Sequence, residues 1–572
     1  MHEGATGKKE PNEGLHRTLS YAHGDAEATT SSHVADAKVR RGIHSRHAQM
    51  IAIGGIIGTG LFVGSGQALA VTGPGTLLLA YCIICVLVYG ATTTIITVGT
   101  YIPLDGSSMA AHAARYVSES LGFAMGWLYW YTFGILVAYE ITAAALVISY
   151  WPNPVHIAAW LSILWLVIVG LNMLPVRFYA ESEFWFAGVK VIMIVGLILF
   201  ALILAAGGGP SHEAIGFRYW RSPGAVNEYL VDGAAGRFCA LLYATTFSLF
   251  SFVLGPETIV LMSGEIKSPR KNLPRAANSV ILRLVFFYVL GVLAVGVICP
   301  SNAKGLLDGG HGAAASPWTI AMRNAGIQAL DSIINAGIIL SAWSAGNSFL
   351  YMSSRALYSL ACNGMAPAVF SRINRWGVPS NAVLFSALYG VLSFLNVSSS
   401  TSAVFNWFIS FTNIGGLLSW ICCCIVYIRF KKACAAQGVT ELPYESVFQP
   451  FAVWATLTFC IILALLNGFY VFFPGHWSTE SFLTSYLGIP VFLTIYSCHR
   501  LKHRHRPWAH APGDVDLVTG LDEVMSLEED ELSSQDRASN GAQSVRERLR
   551  RVLEFFSEST GIAETAGARR NH

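Results

Sequence analysis

Two interrupted apolar stretches are the first places where this chain could do chemistry. Gly54-Gly-Ile-Ile-Gly-Thr-Gly-Leu-Phe-Val-Gly-Ser-Gly66 holds six glycines in thirteen residues, each costing roughly 1 kcal/mol against alanine inside a helix. Small residues four apart also let helices pack closely, but a spaced stripe would serve that purpose, and this density favours an unwound helix. The second interruption is Ser251-Phe-Val-Leu-Gly255-Pro256-Glu257, where Pro256 removes a backbone donor and clashes with the preceding turn.

Unwinding a helix exposes partial charges. N–H groups of the half-helix that starts after Thr59 and Gly60 suit an anion such as a carboxylate, and carbonyls freed before the breaks suit an ammonium. A zwitterionic α-amino acid supplies both charges. Two ionisable residues share these apolar surroundings. Glu257 is an intramembrane carboxylate, a class that is rare and by default functional. Lys190, seven residues after Glu183, lies ~10 Å further along a helix. Near the end of a span such a lysine can snorkel to the headgroups with its stem buried.

The elements that must hold these residues follow from composition. Of 572 residues, 53% are hydrophobic and 12% charged, about half the charged share of a soluble domain, and mean hydropathy is +0.50. The apolar runs have helix length, not the ten-residue alternation of a membrane barrel. Twelve spans are predicted, starting near Gln49, Pro74, Gly122, Val155, Phe184, Cys239, Ser279, Gln328, Ala382, Ala403, Phe451 and Phe482. The interruptions then fall in spans one and six. Five spans apart is the separation expected of related repeats, spans one to five and six to ten, with two helices appended. The expected fold is therefore all-α and membrane-embedded, with twelve transmembrane helices, an inverted five-plus-five repeat, and unwound helices one and six.

Charge fixes the expected orientation. With the N-terminus in the cytoplasm, inner loops hold thirteen Lys and Arg and outer loops five, as the positive-inside rule requires. The net charge of +3 sits mainly in tails and loops, so no nucleic-acid partner is indicated. Residues 1–46 and 507–572 read as cytoplasmic tails around a transporter domain at 47–506, with 1–46 and 507–544 largely disordered by composition. Within the second tail, 545–556 carries arginines opposite an apolar face and is either a plain surface helix or one lying on anionic lipid. Cys82 and Cys85 form a C-x-x-C inside a span, without a second pair, which gives no redox or zinc site. No span offers paired histidines at ligand spacing or a nucleophile with a base. An enzyme, a metal and a cofactor are thus not expected.

Longer motifs carry a resemblance. The run Ser45-Arg-His-Ala-Gln-Met through Gly66, Gly264-Glu-Ile-Lys-Ser-Pro-Arg-Lys-Asn-Leu-Pro274, Ser344-Ala-Gly-Asn-Ser through Ser354-Arg-Ala-Leu-Tyr358, and Leu442-Pro-Tyr through Phe448-Gln-Pro450 resemble the fungal (yeast-type) amino acid permeases of the amino acid–polyamine–organocation superfamily, from about Arg40 to Leu521. That resemblance implies a substrate carboxylate at Gly58, Thr59 and Gly60. It implies an ammonium at carbonyls around Ile56 and, across the cavity, around Ser251 and Leu254. Glu140 matches the family's span-three glutamate. Phe252 of span six, with Asn347 and Phe349 of span eight, would shape the side-chain pocket. The chain departs from its relatives at Phe250 and Phe252, displaced by one position, and at Pro256, Phe349, Ala138 and Ala180.

The resemblance also implies coupling. Lys190 matches a lysine that, in similar proton-coupled transporters, occupies the place of the sodium ion of sodium-coupled relatives. The expectation is a plasma-membrane symporter that imports amino acids with protons by alternating access, with sodium disfavoured. Lys190 is the leading coupling residue, and Glu140 and Glu257 are further carriers, each otherwise a helix-helix hydrogen-bonding group. The substrate expected first is a broad or neutral amino acid range, followed by basic amino acids, proline, or an amine such as γ-aminobutyrate. The rival class is a non-transporting sensor of the same fold. Partners beyond substrate and lipid are ubiquitin or trafficking machinery at the tails.

Overall fold

A computed structural model of the chain describes residues 58–103, 108–152, 154–210, 212–261, 263, 268–306, 316–327, 330–399, 401–526 and 528–529. Ile56, the tail at 1–46 and the helix expected at 545–556 lie outside the described residues.

Helices make up all the regular structure among the described residues. Long apolar runs leave no other choice, since every backbone N–H and C=O in hydrocarbon must be satisfied within its own segment. Eight helices are long and apolar enough to cross a membrane, and Thr479–Tyr486 with Gly488–Lys502, bent by 43°, makes a ninth. The shorter apolar helices Gly60–Thr72, Ile157–Asn172 and Val285–Ile298 occupy the places of spans one, four and seven. Together these account for the twelve spans.

Span two is Pro74–Tyr101, span three Glu119–Ile148, span five Val176–Ala205, span eight Leu330–Cys362 and span ten Thr401–Ala436. Spans three and eight pack against each other more extensively than any other pair. In a five-plus-five repeat they are equivalent positions, as are the interrupted spans one and six. Span three is buried nearly all round, whereas span five sends Trp185, Ile192, Leu199 and Leu202 outward. The first pattern suits a central helix and the second a lipid-facing one.

Span seven starts earlier than its apolar run. The helix begins at Pro269 and reaches Ile298 through a π-helical turn at Val285–Val289, so half of the polar 264–274 motif is helical. Proline is well placed at a first helical position, where its missing donor costs nothing.

The chain beyond span twelve is also ordered where composition suggests a free tail. Val515, Leu517 and Val524 are buried, and the segment docks on the bundle face that carries residue 506. His510 N donates to Val117 O at 2.9 Å, Gln437 Nε2 to Val515 O at 2.7 Å, and Arg115 Nη2 to Asp516 Oδ2 at 2.9 Å. Arg115 also donates to Thr519 O at 2.7 Å. Three buried aliphatics and a satisfied backbone outweigh the polar composition around them.

Candidate functional site

Both interrupted spans open at the level of one cavity. In span one, Gly58 and Thr59 are non-helical and a helix starts at Gly60, first as a π-turn to Gly64 and then as α-helix from Ser65. In span six, Gly233–Ser248 ends in a 3-10 turn at Leu249–Ser251, residues 252–254 form a turn, and Gly255–Leu261 resumes the helix. Leu254 has φ +61°, a left-handed conformation that costs a branched residue roughly 1 kcal/mol and that a regular helix cannot contain.

A cavity of about 30 Å³ lies between the breaks, lined by Gly58, Gly60, Glu140, Ser251, Leu254 and Phe349, with Phe250 and Tyr139 as further walls. Two glycines stand at close approaches, and of the two only Gly60 faces atoms that cannot swing aside. A Cβ at Gly58 would stand 2.4 Å from Glu140 Oε1, and one at Gly60 would stand 2.2 Å from Ser251 Oγ. The first amides of the span-one half-helix are oriented by the helix itself, because the N–H groups of Phe62 and Val63 already bond Thr59 O. The N–H groups at its very start have no partner earlier in that helix, which makes this end an acceptor of negative charge.

Glu140 ties this start to span three. Thr59 Oγ1 donates to Glu140 Oε2 at 3.0 Å and lies 3.0 Å from the Tyr139 hydroxyl. Lys190 Nζ sits 3.8 Å from Glu183 Oε1, both side chains essentially buried, and within electrostatic reach of Glu140 as well. Snorkelling is therefore not what this lysine does: its ammonium ends on a carboxylate inside the bundle. Glu183 is secured from span eight, with Ser344 Oγ donating to its Oε2 at 2.8 Å. Two carboxylates and one ammonium thus share a buried centre beside the cavity. When all three are ionised the centre has an excess negative charge, which one proton would neutralise.

Other sequence-selected residues fall elsewhere. Phe252 lies in the break but turns away, its ring 4.4 Å from that of Tyr288 and 5.7 Å from that of Tyr81; Phe250 takes the place at the cavity wall. Asn347 accepts from Asn172 Nδ2 at 2.8 Å and joins spans four and eight, outside the cavity lining. Glu257 accepts from Ser419 Oγ at 2.7 Å and borders a separate small cavity with Tyr129, Ser108 and Asn363, toward the face that carries residue 506. The structure brings Gly58, Thr59, Gly60, Glu140, Ser251, Leu254 and Lys190 together, and sets Phe252, Asn347 and Glu257 apart.

Glu183 is a further functional candidate, and the sequence carries its signal. Seven residues are close to two full turns, so its spacing from Lys190 puts both on one helix face. Among the described residues no group of three His, Cys, Asp or Glu is placed to hold a metal ion.

Known proteins resemble this chain over most of its length. The family model described as amino acid permease matches residues 47–510. A proline-specific permease of Emericella nidulans is 42% identical over 534 residues, covering 92% of this chain and 97% of that one. A proline-specific permease of Saccharomyces cerevisiae is 43% identical over 497 residues, covering 85% and 79%. Among solved structures, a manganese transporter of Eremococcus coleocola superposes with a TM-score of 0.51 at 13% identity, over 81% of this chain and 97% of that one, a likeness of fold alone. These relatives are named as permeases, not enzymes, and the match runs from the start of span one to the docked C-terminal segment. The chain belongs to the amino acid permease family, in its fungal branch.

Proposed function

We propose that this chain imports proline, with other small neutral amino acids as secondary substrates, across the plasma membrane in symport with protons. The observation that carries the substrate class is the lining of the cavity between the two breaks. Among the described lining residues Glu140 is the one ionisable group besides Tyr139, and the others are glycine backbone, Ser251, Thr258 and apolar or aromatic side chains. An acidic substrate side chain would find no cation among these lining residues, Lys190 beside them being already paired with Glu183, and burying an unpaired charge is costly. A small apolar side chain matches the limited volume. The two relatives named above as proline-specific narrow a neutral range to proline.

In this reading the substrate carboxylate meets the free amides from Gly58 to Gly60. Its amino nitrogen meets acceptors at the span-six break, including the Ser251 region and the carbonyls turned out by Leu254. Lys190 stands where a cation would otherwise be held. Its ammonium excludes sodium, and the Glu140–Lys190–Glu183 centre takes up and releases one proton per cycle. Broken helices around one central site suit alternating access, in which the site opens to one face at a time. The excess of Lys and Arg in the loops on the face carrying residue 506 supports a cytoplasmic location for both tails.

The test is uptake of a panel of radiolabelled amino acids into transporter-deficient yeast expressing the chain, at acid and neutral external pH, with and without a protonophore. Proline accumulation that is stronger at acid pH and collapses with the protonophore is the expected result. Uptake unaffected by the protonophore would remove proton coupling, and no uptake despite surface expression would turn the reading to a sensor.

A further inference from the structure

A larger cavity, about 460 Å³, opens on the opposite face of the bundle from residue 506, between the second half of span one, the first half of span six, the start of span ten and the loop between spans eleven and twelve. That volume is in the range of small-molecule sites, whereas the central cavity is far below it. The two are separated by rings: Phe247 lines the outer cavity and Phe250 the central one, 6.0 Å apart, with Tyr139 5.4 Å beyond Phe250.

The one charged group among its described lining residues is the acid Glu480. Asn413 is 2% exposed, and its Nδ2 donates to Thr246 O at 2.8 Å. A carbonyl accepts only from the amide's NH2, so this bond fixes the orientation of the side chain and leaves Oδ1 as an acceptor. That oxygen is buried and has no hydrogen-bond partner among the described residues, and the same holds for Asn406 Oδ1. Both residues line the cavity, and Glu480 adds a carboxylate at its rim. Among the described lining residues there is no Lys, Arg or His. A buried amide oxygen without a partner is costly, and what satisfies it is a donor.

The walls favour a cationic donor in particular. Tyr243 stacks on Phe247 at 5.4 Å and packs against Tyr229 at 4.9 Å, and Trp407 and Tyr470 face the same space. Aromatic faces attract ammonium groups, most strongly where water is partly excluded. One oriented amide oxygen, at Asn413, a second amide at Asn406, one carboxylate and several rings form the surroundings of a protonated amine.

We propose that this cavity is an outer recruitment site that binds the protonated amino or imino nitrogen of an amino acid before the substrate passes the aromatic layer to the central site. It rests on the reading of the chain as an amino acid importer and adds a second place of selection, acting on the amine and not on the side chain.

The test is equilibrium binding of a panel of radiolabelled amino acids, proline included, to the purified full chain in lipid nanodiscs. It uses wild type and two variants whose added side chains fill the central cavity, Ser251→Trp and Gly60→Leu, each checked for folding by thermal unfolding. Both blocked variants are expected to retain about one bound amino acid per chain. Adding Asn406→Leu or the exposed Glu480→Gln weakens that remaining binding by roughly tenfold, the size of a lost charged hydrogen bond, and Asn406→Asp preserves or strengthens it. Blocked variants that fold and bind no amino acid overturn the outer site, as does remaining binding indifferent to Asn406→Leu and Glu480→Gln. Failure of the import reading looks different: wild type then takes up no amino acid in cells, and binding by the blocked variants still decides the outer site.

Discussion

Thr59 Oγ1 donates to Glu140 Oε2 at 3.0 Å, joining the first residue before the span-one half-helix to the middle of span three. The bond holds the free helix start and the buried carboxylate in one register. Thr59→Val keeps the shape and removes the hydroxyl. A lost hydrogen bond to a charged group costs about 1.5–3 kcal/mol, so initial uptake is expected to fall roughly 10- to 100-fold at unchanged surface abundance, measured by radiolabel uptake against a surface-labelling control.

Close approach at Gly60 gives a suppressor test. With a Cβ placed 2.2 Å from Ser251 Oγ and 2.9 Å from Ser251 Cβ, Gly60→Ala is expected to abolish uptake. Ser251→Gly removes both atoms, and the double variant is expected to recover part of the lost activity. Non-additivity between contacting residues is the signature to look for; a double variant as inactive as Gly60→Ala would show that the contact is not the cause.

Lys190 and Glu183 form a buried pair at 3.8 Å. Removing one partner leaves an uncompensated charge, at a cost of about 3–5 kcal/mol. Lys190→Ala is therefore expected to lower the unfolding temperature and to end accumulation against a gradient. Combining it with Glu183→Gln should restore the unfolding temperature but not the accumulation. Full proton-driven accumulation by Lys190→Ala would remove Lys190 from the coupling mechanism.

Docking of the C-terminal segment has a pH signature. Burial pushes the Asp516 carboxyl up, but the Thr519 amide and the Arg115 guanidinium outweigh it and hold the group below its usual range. A depressed carboxylate stabilises the folded arrangement at pH above its unfolded value and loses that contribution as pH falls through the folded one. The Arg115–Asp516 contact should thus be intact at neutral pH and release below about pH 3.8, its unshifted value. Limited proteolysis of residues 507–526 across pH reads this directly, and Asp516→Ala should give at neutral pH the cleavage that wild type shows only in acid.

Membrane class, the number of spans and the two broken helices were legible in the chain alone. Apolar runs of about twenty residues admit one solution in lipid, and a dense run of glycines or a Gly255-Pro256 pair disfavours an unbroken helix. Thr59, Gly60, Glu140 and Ser251 could be placed near one another because breaks and motifs fix their level along the spans. The direction of a side chain around its helix is a different matter. Phe252 sits in the break yet packs on Tyr288, while Phe250, two residues earlier, faces the cavity, because the turn ending at Leu254 rotates each residue away from helical phase. Asn347 was drawn to a neighbour on span four that its sequence position does not reveal. Lys190 and Glu183 shared a face by spacing, but only the packing of spans three, five and eight decided that their charges stay inside. The ordered segment after residue 506 escaped composition for the same reason: Val515, Leu517 and Val524 are too few to signal a core, and they are buried only because the bundle already offers them a surface.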